Sequence, residues 1–235
     1  MVDDSNLDNV GNVGMVIDEC FCSFKDDPYS AVIEFTPKVF PDSRGWFSEV
    51  MKGDLSWIKQ INRSSSAANV VRGCHAQRGE WCQAKLVEAI TEVIFDYIID
   101  CRPDSASFGV SKIYRLDPIK QNKLFIPRGF LHAFIVPKCA KGNAVFTYYC
   151  DNTYSKESEI CINPQTIIPR NVGILRSWCK ENQEMNEMLH EIVESSEDEW
   201  IYSEKDLKGL DYNHWMTTLK TAHDNGDFKT SLWYK

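Results

Sequence analysis

The chain has 235 residues, of which 43% are hydrophobic and 26% charged, with a net charge of −8. This length accommodates one large domain, or one domain with a substantial extension, and the aromatic residues are numerous enough to fill a core. The acidic balance disfavours nucleic acid as a partner, and no segment approaches the roughly 20 apolar residues of a membrane span, so no membrane partner is expected.

Residues 1–29 are polar and acidic and show no clear period. We interpret them as an extension, flexible or docked at the periphery, and not as a secretory signal, because they contain no apolar run. Nine cysteines are scattered along the chain, and an odd number without paired spacing argues against a disulfide framework. We therefore expect a cytoplasmic, reducing location, with most cysteines acting as small buried hydrophobic residues.

From residue 30 onward, short apolar runs alternate with Gly, Pro and Asn turns, and this pattern predicts strands. A short helix is predicted over residues 52–61 and a polar loop over residues 62–68. Many short strands with almost no helix between them indicate a sandwich or barrel. The predicted strands lie within residues 31–40, 46–51, 70–71, 86–87, 89–100, 108–116, 124–126, 130–136, 144–150, 160–162 and 166–168.

Residues 70–87, reading VVRGCHAQRGEWCQAKLV, contain two apolar ends around a polar turn. The pattern predicts a hairpin that holds His75 and Lys85 near each other. A neutral imidazole beside a cation can remove a proton from carbon and stabilise the resulting negative charge. A histidine in a strand is more often structural, but Arg72 and two glutamines in the same stretch favour a functional role.

The sequence predicts no catalytic metal. Barrels of the cupin type commonly bind a metal through His-x-His together with Glu and a distant His. Gln77 occupies the second position after His75, and His132 has Phe130 and Phe134 at that spacing. A glycine-rich phosphate loop, a nucleophile elbow and a dinucleotide fingerprint are also missing, which disfavours chemistry that depends on NAD or ATP.

Beyond Pro169 the pattern becomes helical. Met185, Met188, Leu189, Ile192 and Val193 follow the spacing of one helix face, and an acidic run over residues 195–199 is interpreted as a solvated surface. We expect three regions: a polar extension (residues 1–29), a cupin-type β-barrel (residues 30–170) and a helical C-terminal extension (residues 171–235).

Taken together, these segments resemble the dTDP-4-dehydrorhamnose 3,5-epimerase family of cupin-fold sugar-nucleotide enzymes. The resemblance runs from about Ile33 to Pro169 and resumes near Ser203. It is specific because the runs match in order and spacing. The matching runs are PDSRGWF (41–47), NVVRGCHAQ (69–77), QAKLV (83–87), EVIFD (92–96), DSASFG (104–109), NKLFIPRGFLHAF (122–134), FTYYCDNTY (146–154) and SEKDLK (203–208).

The resemblance implies a double-stranded β-helix, the jelly-roll barrel of cupins, and it implies roles for individual residues. His75 matches the catalytic base, Lys85 the lysine near the sugar carbonyl, Tyr148 the acid on the opposite sugar face, and Asp206 the carboxylate that partners the base. The positions that bind the nucleotide and diphosphate, or shape the pocket, match Arg44, Phe47, Glu49, Gln60, Asn62, Arg72, His132 and Tyr154.

The implied substrate is a nucleotide-diphosphate 4-keto-6-deoxy sugar, whose keto group acidifies the C3 and C5 protons. Proton abstraction by His75 and reprotonation by Tyr148 would invert a centre without any cofactor. The resemblance also implies a homodimer with strands exchanged between subunits. Two alternatives remain open: a 3,4-ketoisomerase or single-centre epimerase on the same barrel, and a non-catalytic sugar-nucleotide-binding cupin.

The sequence departs from the family pattern at several points. Arg63 stands where the family often has histidine, and Pro169 and Ser203 are further apart than the family spacing. The divergence around Trp81 and Cys82 leaves the sugar and the nucleotide base open.

Overall fold

The structure is a computed structural model that describes residues 14–17, 30–167 and 200–227. Short 3-10 turns lie at Gly79–Trp81 and Pro164–Thr166. The strands are β1 (Gly14–Ile17), β2 (Ile33–Thr36), β3 (Val39–Asp42), β4 (Gly45–Ser48), β5 (Gln60–Ser66), β6 (Val71–Gln77), β7 (Lys85–Ala89), β8 (Ile94–Asp100), β9 (Ser111–Leu116), β10 (Lys123–Ile126), β11 (Phe130–Ile135), β12 (Ala144–Cys150) and β13 (Glu159–Cys161), and the helices are α1 (Glu204–Leu207) and α2 (Tyr212–Asp224).

Two antiparallel sheets contain most of these strands. One sheet has six strands in the order β1-β2-β10-β7-β12-β5, and the other has five in the order β13-β6-β11-β8-β9. Strands β3 and β4 form a separate two-stranded hairpin. The prediction of a mostly β fold is therefore confirmed.

The two sheets face each other across a buried apolar layer. Side chains alternate along each strand, so Phe130 and Phe134 of β11 point to the same side as Ile94 and Ile98 of β8. They meet Phe146 of β12 from the facing sheet, whose ring centroid lies 4.6 Å from that of Phe134. This layer fixes the spacing between the sheets, and the polar interior residues described below lie beside it.

The C-terminal helical region covers the outer face of the five-stranded sheet. Trp215 and Leu219 of α2 are buried against the outward-facing residues Leu131 and Ile135 of β11. Asp211 caps the helix, because its side chain accepts a hydrogen bond from the backbone nitrogen of His214. The predicted helical C-terminal extension is confirmed by these helices. In the part of the chain that the structure describes, no helix is both long and apolar enough to cross a membrane.

The predicted hairpin over residues 70–87 is wrong. Strand β6 belongs to the five-stranded sheet and β7 to the six-stranded sheet, so the two strands do not pair. The 3-10 turn at Gly79–Trp81 lies on the connection that carries the chain from one sheet to the other. His75 and Lys85 therefore approach each other from opposite walls of the interior.

Other local predictions are also corrected. The predicted loop over residues 62–68 is largely strand β5, which pairs with β12 from Gln60 to Ser66. The predicted helix over residues 52–61 contains only a turn before β5 begins. A strand was predicted over residues 166–168, but Thr166 ends a 3-10 turn that begins at Pro164, and residue 168 lies outside the described residues. Gly14–Ile17, within the N-terminal extension, form a strand paired with β2 that was not predicted.

Some predictions fall outside the described residues. These are the helix over residues 185–193, the acidic run 195–199 and the end of the C-terminal tail. The three-region division of the chain stays a prediction.

Candidate active site

A bulge in β6 turns both Arg72 and His75 to the same face of the sheet. These residues are three apart, so a regular strand would point them to opposite faces. The register shifts between the pairs Phe134–Arg72 and His132–His75, so that two residues of β6 lie opposite one residue of β11. At Gly73, in the bulge, φ is +109° and an added Cβ would lie 2.7 Å from the carbonyl oxygen of His132. The bulge therefore requires glycine there.

His75 forms a hydrogen bond with a carboxylate from the C-terminal region. Its Nε2 lies 2.7 Å from Oδ1 of Asp206, whose side chain is only 4% exposed. Asp206 lies in α1, and the hydroxyl of Ser203 caps this helix by accepting a hydrogen bond from the backbone nitrogen of Asp206 at 3.0 Å. The structure thus brings these two sequence-predicted residues together across 131 positions of the chain.

Asp206 is suited to remain ionised beside the imidazole. Burial alone raises the pKa of this carboxyl, but the hydrogen bond and charge of His75 and the hydrogen bond with Ser203 more than offset that effect. The pKa of Asp206 therefore lies below its usual value. An ionised partner at Nε2 holds the proton on that nitrogen and leaves Nδ1 with a lone pair.

Lys85 and Tyr148 enter the interior from the six-stranded sheet. Lys85 begins β7 and pairs with Cys150 of β12, while Tyr148 pairs with Val87, two residues along β7. Both point to the face that carries Val87 and Phe146 in the buried layer. Burial lowers the pKa of Lys85, and burial raises the pKa of Tyr148 against the opposing charge of Arg72. The site thus has a cation and a protonated phenol on the wall opposite His75.

A second histidine–carboxylate pair lies next to the first. His132 Nδ1 lies 3.0 Å from Oδ1 of Asp96, and both side chains are buried. Burial lowers the pKa of His132; Asp96 opposes the shift, and the charges of Lys85 and His75 add to it. A neutral His132 oriented by Asp96 is therefore a hydrogen-bonding group near His75, Lys85 and Tyr148.

The predicted binding residues Gln60, Asn62 and Tyr154 lie together at one end of β5. The amide nitrogen of Gln60 donates to Asn62 Oδ1 at 2.9 Å, and its oxygen accepts from the backbone nitrogen of Tyr154 at 2.8 Å. Tyr154 also donates from its hydroxyl to Glu159 at 3.0 Å. Arg72 donates to the hydroxyl of Ser66 at 2.8 Å. These groups form a polar rim along β5, the edge strand of its sheet, with Arg72 at the opposite end from Gln60.

Arg44, Phe47 and Glu49 lie on or just after the separate β3–β4 hairpin. The Arg44 guanidinium binds Asp42 of the same hairpin at 2.6 Å and is 88% exposed, and Glu49 pairs with Lys52 at 3.5 Å. Among the described residues, no hydrogen bond joins this hairpin to His75, Lys85, Tyr148 or Asp206. The structure does not bring these three predicted residues to the others within one chain.

Sequence reasoning missed two residues beside the base. Asp96 is a carboxylate inside the strongly apolar strand β8. A buried carboxylate usually has a partner, so this residue was the sequence signal for a pair with a histidine. Cys161 is the register partner of His75. The sequence alone does not indicate this contact, because the contact depends on which strand pairs with β6. The ligand atoms of His75, Cys161 and Asp206 all lie within 4.8 Å of one another, so these residues could hold a metal ion.

A two-sheet β fold with an imidazole, an ammonium and a phenol facing one interior defines an isomerase of the cupin type. The family model described as dTDP-4-dehydrorhamnose 3,5-epimerase matches residues 28–214. The chain belongs to this family.

Individual relatives agree with this assignment. The chain is 37% identical over 160 residues to the dTDP-4-dehydrorhamnose 3,5-epimerase of Escherichia coli, covering 62% of this chain and 84% of that protein. The crystal structure of the enzyme of that name from Elizabethkingia anophelis gives a TM-score of 0.61 at 27% identity, covering 85% of this chain and 97% of that one. An epimerase from Legionella pneumophila, solved with dTDP-4-keto-L-rhamnose, shares the fold with a TM-score of 0.61 at 24% identity, covering 88% and 97% of the two chains.

Proposed function

We propose that this protein epimerises a dTDP-linked 4-keto-6-deoxyhexose at C3 and C5. The observation that carries the proposal is the hydrogen bond of 2.7 Å between His75 and Asp206, in an interior that also receives Lys85 and Tyr148. The curated relatives carry the name of this reaction.

We further propose a cytoplasmic homodimer whose subunits share their pockets. The six described cysteines form no disulfide, which is compatible with a reducing location.

His75 is the base in this proposal. The 4-keto group makes the neighbouring C–H bonds acidic, and Nδ1 of His75 takes the proton while Asp206 keeps the proton on Nε2. The imidazolium that forms is then stabilised by the ionised carboxylate at 2.7 Å. Each abstraction leaves an enolate whose oxygen carries the negative charge.

Lys85 stabilises that enolate oxygen. A buried ammonium acts in a poorly solvated environment, where its attraction for a developing negative charge is stronger than in water. His132, held by Asp96, supplies a further hydrogen bond to the substrate. Gln60, Asn62, Arg72 and Tyr154 bind its polar groups at the rim.

Tyr148 returns the proton from the other side of the sugar. The base belongs to the five-stranded sheet and the phenol to the six-stranded sheet, so the two groups lie on opposite sides of a ring held between them. Removal on one face followed by delivery on the other inverts the carbon. Because burial raises the pKa of Tyr148, the phenol holds its proton until the enolate requires it.

Mass spectrometry in heavy water tests the proposal. Wild-type protein given dTDP-4-keto-6-deoxyglucose should incorporate deuterium at both C3 and C5. His75→Ala should lose exchange at both centres, by about 100-fold or more. Tyr148→Phe should reduce completed epimerisation more than it reduces the first exchange, because the base remains intact.

Each contrary result has a defined meaning. Exchange at one centre only would identify a single-centre epimerase, and production of a 3-keto isomer would identify a 3,4-ketoisomerase. The absence of exchange into any 4-keto sugar nucleotide of a small panel would indicate a non-catalytic binding protein. Near wild-type exchange in His75→Ala would refute the assignment of the base.

A further inference from the structure

Strand β13 places a thiol beside the His75–Asp206 pair. Cys161 pairs with His75 in the sheet register, and its Sγ lies 3.7 Å from Oδ1 of Asp206. His75 Nε2 lies 2.7 Å from that same oxygen, and the three ligand atoms lie within 4.8 Å of one another. The proposed epimerisation has no step for this thiol. We propose that His75, Cys161 and Asp206 form an inhibitory Zn²⁺ site.

The donor set and its spacing suit zinc. A thiolate, an imidazole nitrogen and a carboxylate oxygen are the three kinds of protein ligand that Zn²⁺ prefers, and three of them leave a fourth position for water. Zinc–ligand bonds of about 2.0–2.3 Å in a tetrahedron place the ligand atoms about 3.3–3.8 Å apart. The separation of 3.7 Å between Cys161 and Asp206 lies within that range, and the separation of 2.7 Å between His75 and Asp206 lies below it, so the site closes by small side-chain movements. The ligands come from β6, β13 and α1, three elements held together by the fold.

An ion can reach this cluster from the pocket. The side chain of His75 is 28% exposed, and Cys161 is likewise only half-buried, while Asp206 forms the buried floor. Two of the three ligands therefore face the space that the substrate would enter, and the negative charge of Asp206 attracts a cation to it.

Zinc at this position removes the base. A neutral imidazole carries one N–H and one lone pair. When Nε2 coordinates the metal, the proton of the neutral ring lies on Nδ1, and that nitrogen can no longer accept a proton from the sugar. The metal also takes the Asp206 oxygen that otherwise orients the ring. Binding at all three ligands is thus incompatible with proton abstraction.

The thiol gives the site a pH dependence. Cys161 must release its proton to solvent to bind as a thiolate. Zinc therefore competes with that proton, and its apparent affinity should increase as the pH rises from 6 to 8, by up to about tenfold per pH unit for one displaced proton.

Cobalt binding tests the site without reference to activity. Co²⁺ substitutes for Zn²⁺ and shows a sulfur-to-metal charge-transfer band in the near ultraviolet when a thiolate binds it. We expect a band in the wild type that is lost in Cys161→Ser and retained in Cys139→Ser, a matched change at an exposed cysteine. Far-ultraviolet circular dichroism verifies folding, and Cys161→Ala serves as a second variant. The other seven cysteines are present in every variant, so the difference between Cys161→Ser and Cys139→Ser reports on Cys161.

Zinc inhibition tests the consequence, which rests on the proposed epimerisation. Saturating Zn²⁺ should slow exchange into the 4-keto sugar nucleotide by about 100-fold or more in the wild type and in Cys139→Ser, and a chelator should restore it. At the same zinc concentration, the exchange rate of Cys161→Ser should stay close to the rate of that variant in chelator.

The two measurements separate the site from the function. A cobalt band of equal size in the wild type and in Cys161→Ser, or equal zinc inhibition of both, would overturn the zinc site while leaving the epimerase in place. A cobalt band that depends on Cys161 in a protein that exchanges no substrate would support the site and refute the proposed function.

Discussion

Lys85 is the residue whose environment most directly limits the proposed chemistry. Its ammonium group is buried, and burial lowers its pKa, while the negative charges of Asp96 and Glu159 oppose that shift. A cation is needed to stabilise an enolate, and a buried ammonium does this strongly. The same burial makes Lys85 lose its proton more readily than an exposed lysine does.

We expect the rate to decrease as the pH rises through the pKa of Lys85, below the usual value of about 10.4. The direction follows from the charge, because the active ammonium form disappears above that pKa. Burial raises the pKa of Tyr148, so the phenol stays protonated while Lys85 titrates. Deuterium incorporation measured against pH gives the profile.

Lys85→Arg is the matched variant for this prediction, because a guanidinium stays charged throughout that range. The decrease at alkaline pH should disappear, and the rate at neutral pH should fall by about tenfold or more, because the planar group cannot reproduce the ammonium position. If the variant kept the wild-type decrease, the titrating group would not be Lys85.

At the residue scale, sequence reasoning selected the proposed reacting groups because they lie within runs whose order and spacing match a known family. It assigned Asp206 from the short run SEKDLK, and the structure joins that residue to His75. It missed Cys161, because a thiol becomes relevant only when the strand register places it beside a histidine. Register between distant strands is set by the packed core and has no local signal.

At the element scale, α1 positions one side chain. It is four residues long, with Ser203 as its N-cap, and Lys205 binds Glu159 of β13 at 2.6 Å. Immediately after it, an added Cβ at Gly209 would lie 2.7 Å from the backbone nitrogen of Asn163 and 2.9 Å from the carbonyl oxygen of Asp206. Residue 209 must therefore lack a side chain, because the chain after β13 lies in close contact with this turn.

Gly209→Ala should push α1 away from β13 and lengthen the hydrogen bond between Asp206 and His75. We expect a loss of about 1–3 kcal/mol in the free energy of unfolding, as for other overpacking changes. The exchange rate should fall by about tenfold to 100-fold, because a shift of about 1 Å misaligns a base. Thermal unfolding and heavy-water exchange measure the two effects.

Gly142→Ala is the control for this change. Gly142 is exposed, and the nearest atom to its added Cβ is the end of the Glu92 side chain at 3.4 Å. That variant should keep both stability and exchange near the wild-type values. Equal effects of the two substitutions, or an unchanged exchange rate in Gly209→Ala, would contradict the positioning role of α1.

The elements that sequence reasoning misassigned share a physical cause. Strand β5 reads QINRSSS, a polar run without the β-branched alternation of the other strands, and it is extended because it pairs with β12 along its whole length. Strands β6 and β7 are neighbours in sequence and resemble a hairpin, yet each pairs with strands far along the chain. Local patterns predicted most of the remaining strands, whereas sheet membership depends on long-range packing.

At the scale of the whole molecule, the β3–β4 hairpin stands apart from the two sheets and exposes three aromatic rings. Phe40, Trp46 and Phe47 are 47%, 62% and 66% exposed, and Ser48 donates a hydrogen bond from the far end of the hairpin to Gln121. A cluster of large exposed apolar side chains indicates a contact surface. It also carries Arg44 and Phe47, which are predicted to bind substrate although they have no described contact with the interior of their own chain.

We therefore expect the protein to be a homodimer in which the hairpin of one subunit completes the pocket of its partner. Light scattering should give a mass about twice that of one chain.

Mixing His75→Ala chains with Arg44→Ala chains under conditions of subunit exchange then distinguishes pockets shared between subunits from pockets made within one chain. With shared pockets, each mixed dimer has one pocket free of both substitutions. Random pairing at equal amounts restores about a quarter of wild-type activity, because half the dimers are mixed and each has one intact pocket of two. With Arg44 acting in its own chain, every pocket carries a substitution, and mixing would restore no activity beyond the sum of the two variants.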